Sequence, residues 1–236
     1  MKKPQLFLLH FAGGNCYSFQ FLMPGLREFE VIALELPGRG KRMGEPLLKD
    51  FDSAAKDIFR QLSAKITSPE FMIYGHSMGA YLTLRVANML EKTGKSPACI
   101  IVSGNAGPGL SERNEKKRYL METPDLKEEL KKIGGVPTEL LEHEELFGFF
   151  EPILRADFEV AENNGLDDEP PVNVPLYAMM GSEEEEVEEI ANWSRYTTST
   201  FKSEVLQGDH FFINKHPKRI AEIMKECYKM TKLVQQ

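Results

Sequence analysis

The sequence predicts a single α/β domain, built on a mostly parallel β-sheet with helices on both faces. Short apolar runs alternate with amphipathic segments along the 236 residues, which is typical of a parallel sheet whose crossover connections are helices. Glycine and proline turns close several of these runs. The length suits one domain with a sizeable core and leaves little room for a second. We therefore expect one domain over residues 1–236.

Six apolar runs predict β-strands. They span residues 6–11, 30–36, 71–74, 99–103, 175–180 and 201–206. Between and after these strands, apolar residues at helical spacing predict four helices. These span 52–66, with Asp52 or Ser53 as the cap, 80–92, 187–196 and 217–233.

One segment interrupts the alternation, and we call residues 108–174 the lid segment. It contains no predicted strand and is charged, helix-like and broken by prolines and paired glycines. An insertion of this kind commonly covers an active site. Its apolar residues either line an acyl-sized pocket or bury the face of the segment itself. They are Leu140, Leu141, Leu146, Phe147, Phe149, Phe150, Ile153 and Leu154.

Charge and cysteine content exclude several classes of function. The chain has 29 Lys and Arg against 36 Asp and Glu, so it lacks the basic surplus of a nucleic-acid-binding protein. Its first apolar run is too short for a secretory signal, and no stretch is long enough to span a membrane. Three cysteines without a metal-binding pattern favour reduced thiols. We expect a cytoplasmic protein, with a monomer as the default state.

A Gly-x-Ser-x-Gly pattern carries the clearest chemical signal. The sequence GHSMG at residues 75–79 follows a predicted strand and precedes a predicted helix. In an α/β-hydrolase this turn lifts the serine hydroxyl above the sheet and requires small flanking residues. Ser77 is therefore the predicted nucleophile. Cys16, in a nearby loop, is an alternative nucleophile, although such a cysteine more often fills a small apolar space.

A serine hydroxyl needs a base to accept its proton. His210 lies between the last strand and the last helix, where an α/β-hydrolase places its base. The other histidines fit less well, because His10 closes the first strand and His76 belongs to the serine turn. His143 lies in the lid segment and His216 leads into the last helix.

The acid that orients the base is expected after the penultimate strand. That turn contains four consecutive glutamates and no aspartate. We favour Glu184, because the tight turn before it places the acid two residues further on, and Glu183 is the second choice. Asp157 and Asp209 remain alternatives. The other glutamates are expected to begin a solvated helix, where the helix dipole favours negative charge.

The reaction also needs donors for the developing oxyanion. The Gly-x-Ser-x-Gly turn supplies one from the residue after the serine, which is Met78. The loop after the first strand supplies the second, from Ala12 or alternatively from Phe11. The glycines of this loop match no phosphate-binding spacing, so no nucleotide is expected there.

Together these motifs resemble a type II thioesterase, the discrete editing hydrolase that accompanies nonribosomal peptide and polyketide synthases. The resemblance covers nearly the whole chain and implies an α/β-hydrolase fold. It also implies a nucleophile at Ser77, a base at His210 and oxyanion amides at Met78 and Ala12. Aspartate is usual in this family at Glu183-Glu184 of this chain, and glycine is usual at Asp209. The motifs are FAGG at 11–14, PGRG at 37–40 with Arg42, Glu45 and Pro46, GHSMG at 75–79, GGVP at 134–137, RAD at 155–157 and HFF at 210–212.

The resemblance implies hydrolysis of misplaced acyl groups from the phosphopantetheine arm of carrier proteins, through an acyl-serine intermediate. A thioester is electrophilic and its thiolate leaves readily, so no metal or organic cofactor is expected. A medium-chain acyl thioesterase, a general carboxylesterase or an acyltransferase would use the same residues, whereas a non-catalytic interaction module would not. A basic stretch in the lid segment either helps to dock the arm or forms a solvated face. It contains Arg113, Lys116, Lys117 and Arg118.

Overall fold

The computed structural model describes residues 2–110 and 116–234, so the predicted docking residue Arg113 lies outside it. Six strands form one sheet. They are β1 (Gln5–Leu9), β2 (Glu30–Leu34), β3 (Phe71–His76), β4 (Ile100–Ser103), β5 (Leu176–Gly181) and β6 (Phe201–Leu206). Every neighbouring pair is parallel, and the order is β2-β1-β3-β4-β5-β6. This confirms the predicted α/β class.

The strand order reverses direction between β1 and β3. In open parallel sheets, ligands bind outside the carboxyl ends of the strands at such a switch point. Leu9 at the end of β1 is in register with Gly75 in β3. The loops that follow these two strands therefore start side by side, and they carry Ala12 and Ser77.

Helices cover both faces of the sheet. They are α1 (Phe51–Lys65), α2 (Met78–Glu91), α3 (Thr123–Ile133), α4 (Thr138–Glu142), α5 (Glu144–Glu162) and α6 (Pro217–Val234). α1 and α2 share one buried cluster with the sheet, whereas α6 packs on the opposite face. The central strands β1, β3 and β5 are buried throughout, because a parallel sheet covered on both faces needs apolar residues on both. None of the described helices combines the length and apolarity that crossing a membrane requires.

Several predicted boundaries were wrong by one to three residues. β1 and β2 end at Leu9 and Leu34, because the chain turns out of the ladder before the last apolar residues of each run. The cap of α1 is Asp50, whose carboxylate accepts a hydrogen bond from the Ser53 N–H at 2.7 Å. Residues 187–196 form a 3-10 helix (Val187–Tyr196) rather than an α-helix.

The lid segment contributes α3, α4 and α5 between β4 and β5. These helices bury a small apolar cluster of their own, formed by Leu126, Leu130, Leu141, Phe147 and Leu154. α5 also contacts α1 and α2. The role of residues 108–174 as a lid stays a prediction.

The glycines that flank Ser77 are required by close backbone packing. A Cβ at Gly79 would lie 2.2 Å from the Leu9 carbonyl oxygen, whereas one at Gly44 would meet nothing within 4 Å. We expect Gly79→Ala to lower the free energy of unfolding by about 3 kcal/mol or more, and Gly44→Ala to leave it nearly unchanged. Urea denaturation of both variants measures the difference. Equal stabilities would show that α2 can move away from β1 at little cost.

Candidate active site

Ser77 occupies the single position between β3 and α2. Its backbone has φ 56° and ψ −116°, and it is the one non-glycine residue with positive φ in the described part of the chain. Strain of this kind is found mainly at functional sites. Two hydrogen bonds hold the turn, from the Ser77 N–H to the Ser103 carbonyl at 2.7 Å and from Asn105 Nδ2 to the Ser77 carbonyl at 2.9 Å. The turn has the geometry expected of a nucleophile elbow.

His210 and Glu184 form a hydrogen-bonded pair. His210 Nδ1 lies 2.8 Å from Glu184 Oε2, and the other carboxylate oxygen accepts the Gly181 N–H at 2.8 Å. The Glu184 side chain is only 6% exposed, so this carboxylate has little access to water. A carboxylate accepts hydrogen bonds, so the proton of the neutral imidazole lies on Nδ1 and Nε2 is left as the basic nitrogen. Ser77 and His210 both line the same cavity.

The other predicted acids lie elsewhere. Glu183 is exposed to solvent. Asp209 pairs with Lys215 at 2.9 Å, and this ammonium lowers the pKa of the Asp209 carboxyl. Asp157 is buried against Arg39. Of the four candidates, Glu184 is the one that the structure brings to His210.

Two further histidines near the site are buried and neutral. Burial lowers the pKa of His76 well below its usual value, and its Nδ1 lies 2.8 Å from Ser103 Oγ. Burial also lowers the pKa of His10 to about 4. Burial and the Glu35 carboxylate raise the pKa of the Cys16 thiol, which disfavours the thiolate that an alternative nucleophile would need.

The two residues predicted to supply the oxyanion donors, Met78 and Ala12, line the same cavity. Met78 is the first residue of α2, and the first amides of a helix have no partner within it. The partial positive charge of the helix N-terminus adds to their attraction for an anion. Ala12 lies in the loop after β1, where the Gly14 N–H donates to the Phe11 carbonyl at 2.9 Å. Within the described residues, nothing accepts a hydrogen bond from the Ala12 N–H.

A cavity of about 730 Å³ lies over these groups. Of the apolar lid residues predicted to line it, Leu140, Phe150 and Leu154 do so. Leu141 and Phe147 are buried within the lid helices instead. The remaining lid residues include Leu146, which is 50% exposed, and Phe149, which is 81% exposed.

The sequence analysis missed several apolar residues of the cavity wall. They are Tyr81, Leu130, Ile133, Val136, Phe158 and Phe211. The helical spacing of Leu126, Leu130 and Ile133 in α3 could have indicated an inward face. The side chains from α2 and from the loop before α6 carry no such signal, because only the tertiary fold brings them together.

The basic stretch of the lid segment is engaged with acidic residues. Arg118 Nη1 bonds to Glu162 at 3.1 Å, and its Nε and Nη2 bond to Glu129 at 3.0 and 2.9 Å. The Lys116 ammonium lies 3.5 Å from Glu129. Both basic side chains line the cavity, but two carboxylates already pair with the Arg118 guanidinium, which makes it a poor site for the phosphate of the arm.

The parallel sheet, the strained serine turn and the hydrogen-bonded histidine–carboxylate pair define an α/β-hydrolase. Comparison with known proteins identifies the family. The family profile described as Thioesterase domain matches residues 4–228. The chain belongs to this family and is a hydrolase that acts on thioesters.

Relatives and solved structures agree with this family. Linear gramicidin dehydrogenase LgrE of Brevibacillus parabrevis is 30% identical over 227 residues, which cover 93% of this chain and 86% of the relative. The medium-chain S-acyl fatty acid synthase thioesterase of Rattus norvegicus is 30% identical over 244 residues, covering 97% and 89%. The structure of YbtT, a type II thioesterase from the yersiniabactin NRPS/PKS pathway, has a TM-score of 0.88 at 27% identity and covers 98% and 94%.

The pairing of Glu184 with His210 predicts the effect of an isosteric amide. A glutamine has one acceptor oxygen, so if that oxygen keeps the Gly181 N–H, its amino group faces His210 Nδ1 and favours the wrong tautomer. We expect Glu184→Gln to lower kcat at least about 100-fold. Glu185→Gln should stay within about twofold, because that side chain is 87% exposed. Steady-state hydrolysis of an acyl thioester measures both variants. Equal, small effects would exclude Glu184 as the acid.

Proposed function

We propose that this thioesterase removes misplaced acyl groups from the phosphopantetheine arm of carrier proteins in nonribosomal peptide or polyketide biosynthesis. The observation that carries the proposal is the convergence of four groups on one cavity. These are the Ser77 hydroxyl, the His210–Glu184 pair, the Met78 amide and the Ala12 amide. The type II thioesterase YbtT shares the fold over nearly the whole chain.

The chemistry proceeds through an acyl-serine. Ser77 Oγ attacks the thioester carbonyl carbon while His210 Nε2 takes the hydroxyl proton. The negative charge on the carbonyl oxygen is stabilised by the Met78 and Ala12 N–H groups. The C–S bond then breaks, and His210 returns the proton to the departing thiolate. Water then attacks the acyl-serine while His210 takes a proton from it. Collapse of this second intermediate releases the carboxylic acid, and His210 returns the proton to Ser77 Oγ. Glu184 holds the imidazole and stabilises its charged form at each step.

The cavity supports a substrate that combines a thioester with an acyl chain. Its volume of about 730 Å³ lies within the range of small-molecule sites. Its lid side is apolar at Leu130, Val136, Leu140 and Phe150, which suits the acyl group. In this arrangement the lid segment shields the acyl-serine, and its helices decide which chains fit.

A medium-chain fatty acyl thioesterase is the second candidate. The apolar wall favours it, and the rat relative carries that name. A general carboxylesterase would use the same groups. The name of the Brevibacillus relative includes a dehydrogenase activity, but this sequence has no Gly-x-Gly-x-x-Gly pattern after a strand, which a dinucleotide fold uses to approach the pyrophosphate. A monomeric state and a cytoplasmic location stay predictions from the sequence.

The decisive experiment compares carrier-bound and free thioesters. We expect the wild-type chain to remove acetyl from an acetyl-loaded carrier protein faster than from acetyl-CoA at equal concentration, as followed by mass spectrometry. Ser77→Ala should abolish this turnover, because it removes the hydroxyl that attacks the thioester carbonyl carbon. Ser203→Ala, a change at an exposed position of β6, is the matched control and should retain full activity.

Each other outcome selects a different function. Hydrolysis of decanoyl-CoA with an untouched acetyl-carrier would select the medium-chain enzyme, and hydrolysis of simple esters alone would select the carboxylesterase. Turnover that survives in Ser77→Ala would exclude Ser77 as the nucleophile.

A further inference from the structure

A buried ion pair joins the lid segment to the loop that follows β2. Asp157 in α5 is fully buried, and Arg39 is 3% exposed. Arg39 Nη2 donates to Asp157 Oδ1 at 2.8 Å, and Arg39 Nη1 contacts Oδ2. This is a two-pronged guanidinium–carboxylate pair between residues 118 positions apart in the chain. The acyl-transfer groups proposed above include neither residue.

The same pair holds the loop that carries Ala12. Asp157 Oδ2 also accepts the Gly13 N–H at 2.8 Å. Arg39 Nη1 donates to the Gly14 carbonyl at 3.4 Å, close to the upper limit for a hydrogen bond. The carboxylate and the guanidinium therefore fasten two consecutive residues of this loop.

α5 also packs directly against the loop. Gly13 has φ +76°, and a Cβ there would lie 2.7 Å from Leu154 Cδ2 and 2.9 Å from Phe150 Cζ. Leu154 precedes Asp157 by three residues, which is nearly one turn of the same helix. The helix thus fixes the loop by apolar contact and by hydrogen bonding at the same place.

These contacts exclude the Gly13 amide as an oxyanion donor. The Gly13 N–H is taken by Asp157, and the Ala12 N–H has no acceptor within the described residues. The peptide unit is planar, so the bond to Asp157 fixes the unit between Ala12 and Gly13. The Ala12 N–H lies in the preceding unit, whose Phe11 carbonyl accepts the Gly14 N–H. We propose that Arg39 and Asp157 are positioning residues, which hold the Ala12 N–H in the direction of the oxyanion. The proposal rests on acyl transfer at Ser77, as described above.

The burial of the pair makes it a stiff support. Two charges removed from water persist only with good geometry and satisfied hydrogen bonds, and removing one partner leaves the other uncompensated. A donor misplaced by about 1 Å loses much of its effect on the transition state. The position of α5 and the strength of the oxyanion site are therefore coupled through Asp157.

A second arginine–aspartate pair in the same fold, whose carboxylate is buried, provides a control. Asp57 is 6% exposed and receives Arg42 Nη1 and Nη2 at 2.6 and 3.0 Å. Neither residue bonds to the loop of residues 11–14 within the described part of the chain. Asp57→Asn therefore removes a buried, arginine-paired carboxylate charge without touching the oxyanion loop.

The test uses the acetyl thioester of N-acetylcysteamine, which carries the reacting bond without a carrier protein. For Asp157→Asn we expect kcat/KM to fall at least about tenfold. The inhibition constant of a trifluoromethyl ketone, which forms a tetrahedral oxyanion adduct on the serine, should rise by the same factor. The pH of half-maximal activity should not move, because His210 and Glu184 are untouched. Arg39→Lys keeps the positive charge but loses the two-nitrogen contact with Asp157. It should change kcat/KM and the inhibition constant in the same directions, but by smaller factors.

Three results would overturn the proposal. The first is Asp157→Asn activity within about twofold of wild type. The second is an equal loss in Asp57→Asn at an equal loss of melting temperature, which would make the role merely structural. The third is a shifted pH profile, which would place Asp157 in the proton relay. If Asp157→Asn does not fold, Arg39→Lys against Arg42→Lys gives the same comparison. If the enzyme does not hydrolyse the acetyl-carrier, this test can still be interpreted, because its substrate needs no carrier protein. Full turnover by Ser77→Ala would instead overturn the proposed function itself.

Discussion

The rest of the site depends on how closely α2 approaches the ends of β1 and β3. A Cβ at Gly75 would lie 2.0 Å from the Gly79 carbonyl oxygen, so the strand and the helix meet backbone to backbone on either side of Ser77. This contact forces the serine into its positive-φ conformation and brings the N-terminus of α2 to the switch point of the sheet. The positions of the proposed nucleophile Ser77 and of the proposed oxyanion donor Met78 follow from that one approach.

The architecture was largely predictable because its signals are local. Apolar runs placed all six strands, and the GHSMG turn placed Ser77 between a strand and a helix. Even the choice of Glu184 followed from the length of a turn, and the structure shows that carboxylate against His210. The strand ends were less predictable, because apolar residues such as Phe11 and Leu36 also serve in buried loops.

Ion pairs between residues far apart in the chain could not be predicted from the sequence. The sequence around Asp157 does not show whether its carboxylate is the catalytic acid or the partner of Arg39. A buried carboxylate near the site could have either role. The basic stretch of the lid segment was equally ambiguous, and Arg118 proves to be bound by Glu129 and Glu162. In each case the identity of the partner decides the role, and only the folded chain brings the partners together.

The turn after β5 shows why aspartate and glutamate are not interchangeable at this site. Glu184 bends back so that one oxygen closes its own turn on the Gly181 N–H while the other reaches His210. An aspartate at the same position is one methylene shorter and cannot span both contacts from the same backbone. An exchange of glutamate for aspartate therefore requires a different turn after β5. We expect the acid and the turn to change together during evolution.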